Sequence, residues 1–192
     1  MANTQSFDQH AEAYEAWFEK NPLVYADEVQ TLKKLIGNRN NGVDIGMGSG
    51  RFSLPLGIEV GVEPSQTMRE IAVSKGLHPV DGIAEALPFK NEAFDFALMI
   101  TVICFVDNPL KSLQEAYRVL SKDGSLIIGI VDKNSPLGQK YEKESSLFYH
   151  EATFYSVEEI KELAHQAGFI GCSSTGVKMT DNSFVFIQCF KS

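Results

Sequence analysis

Residues 43–50 read VDIGMGSG: two apolar residues around an acid, Asp44, and then glycines at every second position, Gly46, Gly48 and Gly50. Glycine reaches backbone conformations with positive φ and lets another molecule lie directly against the main chain. Between a strand and a helix, such a loop suits a bound ligand, because free backbone N–H groups point out of it. The same glycines would also serve a tight turn that binds nothing, so the loop alone leaves both readings open.

Outward from the loop, apolar residues switch between helical spacing and continuous runs, the pattern of an α/β domain built on a parallel sheet. Before it, Ala11, Tyr14, Trp17 and Phe18, then Tyr25, Val29, Leu32 and Ile36, recur at helical spacing, with Asn21-Pro22 dividing the two segments. After it, strands are expected at Ile58 to Val62, near His78 to Val80, in FDFALMITVICFV and in SLIIGIV. Pro64 is expected to start a helix through Met68, Ile71 and Ala72 that stops at Gly76. Asn108 should cap a helix whose stripe is Leu110, Leu113, Tyr117 and Leu120, with Gly124 as its left-handed terminator. Ser156 and Glu159 match a capping box. Two final strands, about Gly171 to Met179 and Ser183 to Phe190, flank TDN as a hairpin, so the sheet must be mixed.

The chain has 192 residues, the size of one domain, with 44% hydrophobic residues. The polar start MANTQSFDQH lacks a signal-peptide profile, and the longest apolar stretch, Ala97 to Val106, is too short to span a bilayer, so a cytoplasmic protein is expected. A net charge of −8 without a basic run disfavours nucleic acid and anionic membrane surfaces as partners and leaves small molecules or proteins. Cys104, Cys172 and Cys189 are far apart and form no metal-binding spacing, so buried free thiols and no metal are expected.

Two nucleotide readings of the loop compete. A dinucleotide fingerprint needs a third glycine at position 51, which is Arg51, and a P-loop needs Gly-Lys-Ser/Thr, which is missing. Glu63, at the end of the next strand, stands where an acid holds two ribose hydroxyls.

With Asp44-x-Gly46-x-Gly48-x-Gly50, GVEPS (Gly61 to Ser65), AEALPF (Ala84 to Phe89) and FDFALM (Phe94 to Met99) in this order, the chain resembles the class I S-adenosylmethionine-dependent methyltransferases. It is most similar to the broad group typified by the quinone-biosynthesis C-methyltransferases. YEAWFEK and FYSVEEIKELAHQAGF resemble that group's first and last helices. The resemblance implies a single Rossmann-like domain over 1–192: a three-layer α/β sandwich whose mostly parallel seven-stranded sheet ends in an antiparallel hairpin. A helical lid would span 1–38, and an insertion at 132–153 would border the acceptor.

The resemblance also implies site residues. The glycine loop would lie under the methionine part of the cofactor, with Asp44 orienting its amino group. Glu63 would take the ribose hydroxyls, Pro64 and Met68 would flank the adenine, and the Ala84 backbone would face the adenine edge. Thr101 and Val102 would run along the cofactor, and Tyr14 and Trp17 could close over it. Relatives often carry an acid where Ile83 stands and histidines where Cys104 and Phe105 stand, so adenine recognition would rest on backbone and packing.

Methyl transfer from a sulfonium mostly requires alignment and water exclusion, so no catalytic acid or base is obligatory. If the acceptor needs deprotonation, the candidates are His150, Tyr149, Tyr155 and His10. A small-molecule methyltransferase is the first reading. An inactive cofactor-binding regulatory module is an alternative, and a nicotinamide-dependent oxidoreductase is another, held back by Arg51.

Overall fold

The computed structural model describes residues 4–143 and 147–192, so residues 1–3 of the expected lid and 144–146 of the expected insertion lie outside the described residues. Seven strands form one sheet in the order β3-β2-β1-β4-β5-β7-β6. They are β1 (Gly42–Ile45), β2 (Val60–Val62), β3 (His78–Val80), β4 (Phe94–Ile100), β5 (Leu120–Val131), β6 (Ile170–Gly176) and β7 (Phe184–Phe190). The first five pair in parallel, and β7 runs antiparallel between β5 and β6. The order reverses at β1, which opens a crevice between the carboxyl ends of β1 and β4, where open α/β sheets bind ligands.

Successive strand residues face opposite sides, and both faces are buried. From β4 and β5, Ala97, Met99, Leu126 and Ile128 join Leu113, Ala116 and Val119 of α6 (Pro109–Val119) and Ile160 and Ala164 of α8 (Val157–Gln166). Phe96, Leu98, Ile100 and Ile127 point the other way, onto Leu32 and Ile36 of α3 (Pro22–Ile36) and Phe184 and Phe186 of β7. The first crossover helix, α4 (Ser53–Leu56), is only four residues long. Segment α3 therefore supplies much of the second face, preceded by α1 (Gln5–Gln9) and α2 (Ala11–Lys20). No helix among the described residues is long and apolar enough to cross a membrane.

Local signals set most boundaries. Pro22 opens α3, the Asn108 side chain accepts from Lys111 N–H at 2.9 Å, and Ser156 with Glu159 forms a reciprocal capping box at α8. Three expectations are corrected. Pro64 precedes a helix that Ser65 caps, so α5 (Gln66–Ser74) starts two residues later. Gly124 is not the left-handed residue: Asp123 is, at φ 64, because α6 passes directly into β5. A Cβ on Gly124 would lie 2.8 Å from the Ser121 carbonyl, so close packing is what demands a glycine there. Cys172 and Cys189 are joined in a disulfide, since a bulge in β6 brings residue 172 opposite 189, and only Cys104 is a free thiol.

Candidate active site

The glycine loop leaves the carboxyl end of β1 with Gly46, Gly48 and Gly50 all at positive φ, 76°, 56° and 80°. Gly46 and Met47 N–H both donate to the Val62 carbonyl, and this folds the loop over the end of β2. Two of the glycines are also steric necessities. A Cβ on Gly46 would lie 2.3 Å from Val102 Cγ2, and one on Gly50 would lie 2.1 Å from Leu77 Cδ1.

Glu63, one residue past β2 and 7% exposed, accepts from Gly48 N–H at 2.7 Å and from Ser65 N–H at 2.8 Å. Burial raises its pKa to about 7 against the pull of those two bonds. Asp44 sits behind the loop, 3% exposed, with Ser53 Oγ donating to its carboxylate; burial raises its pKa to about 6.

A cleft of about 90 Å³ runs along this loop. Of the twelve expected cofactor residues, Gly46, Gly48, Glu63, Pro64, Met68, Ala84, Thr101, Val102 and Tyr14 line it. The other three do not. Asp44 is behind the loop, Gly50 packs on Leu77, and Trp17 stands 40% exposed on the wall of a second cavity.

The cleft also takes in residues that the motifs do not mark as ligands. Phe7 comes from α1, and Glu85 ties the cleft to α6 by accepting from Asp107 and Asn108 N–H at 2.8 and 3.2 Å. Ile83 lines the cleft as well.

The second cavity, about 210 Å³, is walled by aromatic rings. Phe7 packs on Phe105 and Phe148 at 5.3 and 5.5 Å between centroids, and Tyr149 stacks on Tyr141 and Phe105 at 5.0 and 5.9 Å. Five residues, Phe7, Tyr14, Ile100, Thr101 and Phe105, line both this cavity and the cleft. Thr101, just past β4, is held at φ 56, an uncommon conformation for a β-branched residue, with its N–H donating to the Gly129 carbonyl at 2.8 Å.

Tyr14 shows the electrostatic character of the junction. Its hydroxyl pKa is pushed up by burial and then by the carboxylates of Glu63, Asp44, Glu15 and Glu28. Four carboxyl groups thus lie close enough to this hydroxyl to act on it.

The candidate bases separate. Tyr149 reaches the second cavity, but burial raises its pKa well above the usual phenol value, so it is a phenol and not a base at neutral pH. Tyr155 lies one small cavity away beside Cys104, whose thiol burial pushes up to about 12. His10 and His150 face a separate polar depression on the surface, with Gln9 and Glu151.

Arg51 lies on the outer side of the loop. It pairs with Glu15 at 2.7 Å, reaches toward Glu19, and stacks over Phe18 at 5.3 Å, while its carbonyl accepts from the Tyr25 hydroxyl. It fastens α2 and α3 to the loop where a dinucleotide fold would need a bare glycine.

Comparison with known proteins follows the same outline. A family model described as "Methyltransferase domain" matches residues 43–128. An uncharacterised protein of Methanocaldococcus jannaschii is 43% identical over 171 residues, covering 88% of this chain and 83% of that one. An uncharacterised protein of Mycobacterium tuberculosis is 31% identical over 176 residues, and the chain spans 61% of its length. A Thermotoga maritima crystal structure, described as an S-adenosylmethionine-dependent methyltransferase and possible histamine N-methyltransferase, superposes with TM-score 0.92. It is 42% identical, covering 98% of this chain and all of that one. Haemonchus contortus phosphoethanolamine N-methyltransferase 2, solved with S-adenosylhomocysteine, shares the fold at TM-score 0.66 and 16% identity, over 83% of this chain and 51% of that one.

Proposed function

Since the chain belongs to the S-adenosylmethionine-dependent methyltransferases, we propose that it methylates a small molecule seated in the aromatic cavity. The observation that carries this reading is the shared wall: Phe7, Tyr14, Ile100, Thr101 and Phe105 border both the glycine-loop cleft and that cavity. A methyl donor in the first and an acceptor in the second would meet there.

The cleft's donors and acceptors suit the cofactor. Bare backbone at Gly46 and Gly48 would pass under its methionine part, and Glu63 would accept the ribose hydroxyls. Pro64 and Met68 would hold the adenine, with the Ala84 backbone at its edge. Thr101 and Val102 would lie alongside, and Tyr14 would close the cleft from α2. Asp44 and Gly50 would act from behind, by fixing the loop, and Trp17 would stand at the acceptor mouth. S-adenosylmethionine supplies a methyl group already activated by its sulfonium. The chain's task is then chiefly to align and dehydrate the two reactants, which ring-lined walls suit.

Two finer readings rest on the same layout. Residues 1–38 would act as a lid, because α1 and α2 contribute walls to both spaces. Residues 132–153 would border the acceptor, as Leu137, Tyr141, Phe148 and Tyr149 line the aromatic cavity. The motif order suggests the quinone-methyltransferase-like group for the cofactor half, while the acceptor half follows its own design.

Calorimetry tests the reading. The protein should bind S-adenosylmethionine and S-adenosylhomocysteine, and Glu63→Ala should weaken binding by roughly 1 to 3 kcal/mol through a lost charge-assisted hydrogen bond. Folded protein that gives no heat with either ligand would overturn it.

A further inference from the structure

One carboxylate in the aromatic cavity has no partner. Glu28, on the inward face of α3, is 4% exposed and lines the cavity. Among the described residues no hydrogen bond or ion pair reaches it. A buried carboxylate without a partner costs several kcal/mol, so such groups are ordinarily paired or replaced. The titratable groups around it are Asp27 on its own helix, Tyr14 from α2, Tyr25 from α3 and Tyr149 from the opposite loop, with no lysine or arginine among them. Burial favours its neutral form, and a cation brought into the cavity by a ligand would be the partner that its ionised form lacks within the chain.

We propose that the acceptor is an amine, whose ammonium group pairs with Glu28 while its carbon skeleton lies among Phe105, Tyr141, Phe148 and Tyr149. The proposal rests on the methyltransferase reading and names its substrate class. Ring faces attract cations, and a carboxylate inside such a ring-lined space adds charge and hydrogen bonds. Size agrees: scaled from an apolar cavity of about 150 Å³ that holds benzene, a space of this volume takes roughly eight to ten non-hydrogen atoms.

Glu28 has a second task. An ammonium nitrogen has no lone pair and cannot attack carbon, so one proton must leave it. The proton passes from that nitrogen to a Glu28 carboxylate oxygen, leaving a neutral amine and a neutral acid. Burial first, then Asp27, raises the Glu28 pKa to about 8, so its ionised form is a stronger base than an ordinary carboxylate and is the form that takes the proton.

The test uses 2-phenylethylamine and hexylamine as cations and 2-phenylethanol as a neutral match of similar shape, titrated into full-length protein saturated with S-adenosylhomocysteine. At least one amine should bind, and 2-phenylethanol should bind about tenfold or more weakly than 2-phenylethylamine. Glu28→Gln, checked for an unchanged circular dichroism spectrum, should lose about tenfold or more in amine affinity and keep its affinity for S-adenosylhomocysteine. Equal binding of alcohol and amine to the unmutated protein, or no binding of either amine, overturns the proposal, as does full amine affinity in Glu28→Gln. Because S-adenosylhomocysteine binding is measured first, failure of the methyltransferase reading shows separately, as a missing cofactor isotherm.

Discussion

Replacing Gly46 with alanine sets two costs against each other that can be measured apart. The residue sits at φ 76, and a left-handed conformation costs an L-residue roughly 1–2 kcal/mol. The new methyl would also fall 2.3 Å from Val102 Cγ2, with Cγ1 and Cβ at 3.2 and 3.3 Å. Forcing a methyl into packed surroundings typically costs about 1–3 kcal/mol. The sum is about 2–5 kcal/mol, and at roughly 2–4 °C per kcal/mol for a domain of this size the melting temperature should fall by roughly 4–20 °C.

Val102→Ala removes both γ carbons and with them the closest contacts. In that background the same glycine replacement should cost only the backbone part, roughly 1–2 kcal/mol. Urea unfolding of the four proteins, with no cofactor added, gives the coupling directly as a double-mutant cycle. A coupling within about 0.5 kcal/mol of zero would refute the steric account, because residues that do not interact add to that accuracy.

Acidity offers another check. Asp44, Glu63 and Glu28 have folded pKa values raised by burial to about 6, 7 and 8. A raised acid binds its proton more tightly when folded than when unfolded, so its contribution is complete near pH 4 and lost as pH rises through the folded value. The melting temperature should therefore decline from about pH 5 to about pH 9, and Glu28→Gln should remove the part of the decline nearest pH 8; a curve that rises over that range refutes the assignment. At Asp8 burial disfavours the charge, but hydrogen bonds from Ser65 and neighbouring groups prevail and lower the pKa. Asp8 joins α1 to the start of α5 by accepting from Ser65 Oγ at 2.6 Å, so Asp8→Ala, losing roughly 1 kcal/mol, should speed proteolysis within residues 4–10 about fivefold. Unchanged cleavage would mean that α1 is held by its aromatic contacts alone. On Gly42 a Cβ would meet the Phe96 ring at 2.2 Å, so Gly42→Ala should lower stability by about 1–3 kcal/mol in chemical denaturation, and no loss would show that Phe96 can move aside.

The parts of this molecule legible in its sequence are those encoded within a few residues. The strand–glycine–helix turn, the caps at Asn108 and Ser156, and the acid at the end of β2 each follow from local chemistry, and nine of twelve expected cofactor residues line one cleft. Thr101 and Val102 could be named because they follow a buried strand, but the left-handed twist at Thr101 has no local signature. What escaped reading depends on distant segments. Phe7, Phe105 and Phe148 meet only in three dimensions, and the Cys172–Cys189 bond depends on a one-residue bulge that no spacing announces. Glu28 did leave a trace: it stands four residues before Leu32 and eight before Ile36, an acid on a stripe otherwise made of buried apolar side chains.

Helix α3 is tied to the far end of the chain. Asp27 accepts from Met179 N–H at 3.0 Å, and the Leu35 carbonyl accepts from the Gln188 side chain at 2.9 Å, across 152 and 153 residues of sequence. Among the described residues the glycine-loop cleft draws on 4–106, whereas the aromatic cavity runs from Phe7 to Phe184. During synthesis, then, every residue of the first site has left the ribosome long before the second can close. The cavity proposed to hold the acceptor is finished by the last hairpin, so on that proposal substrate selection is the final property this chain acquires as it folds.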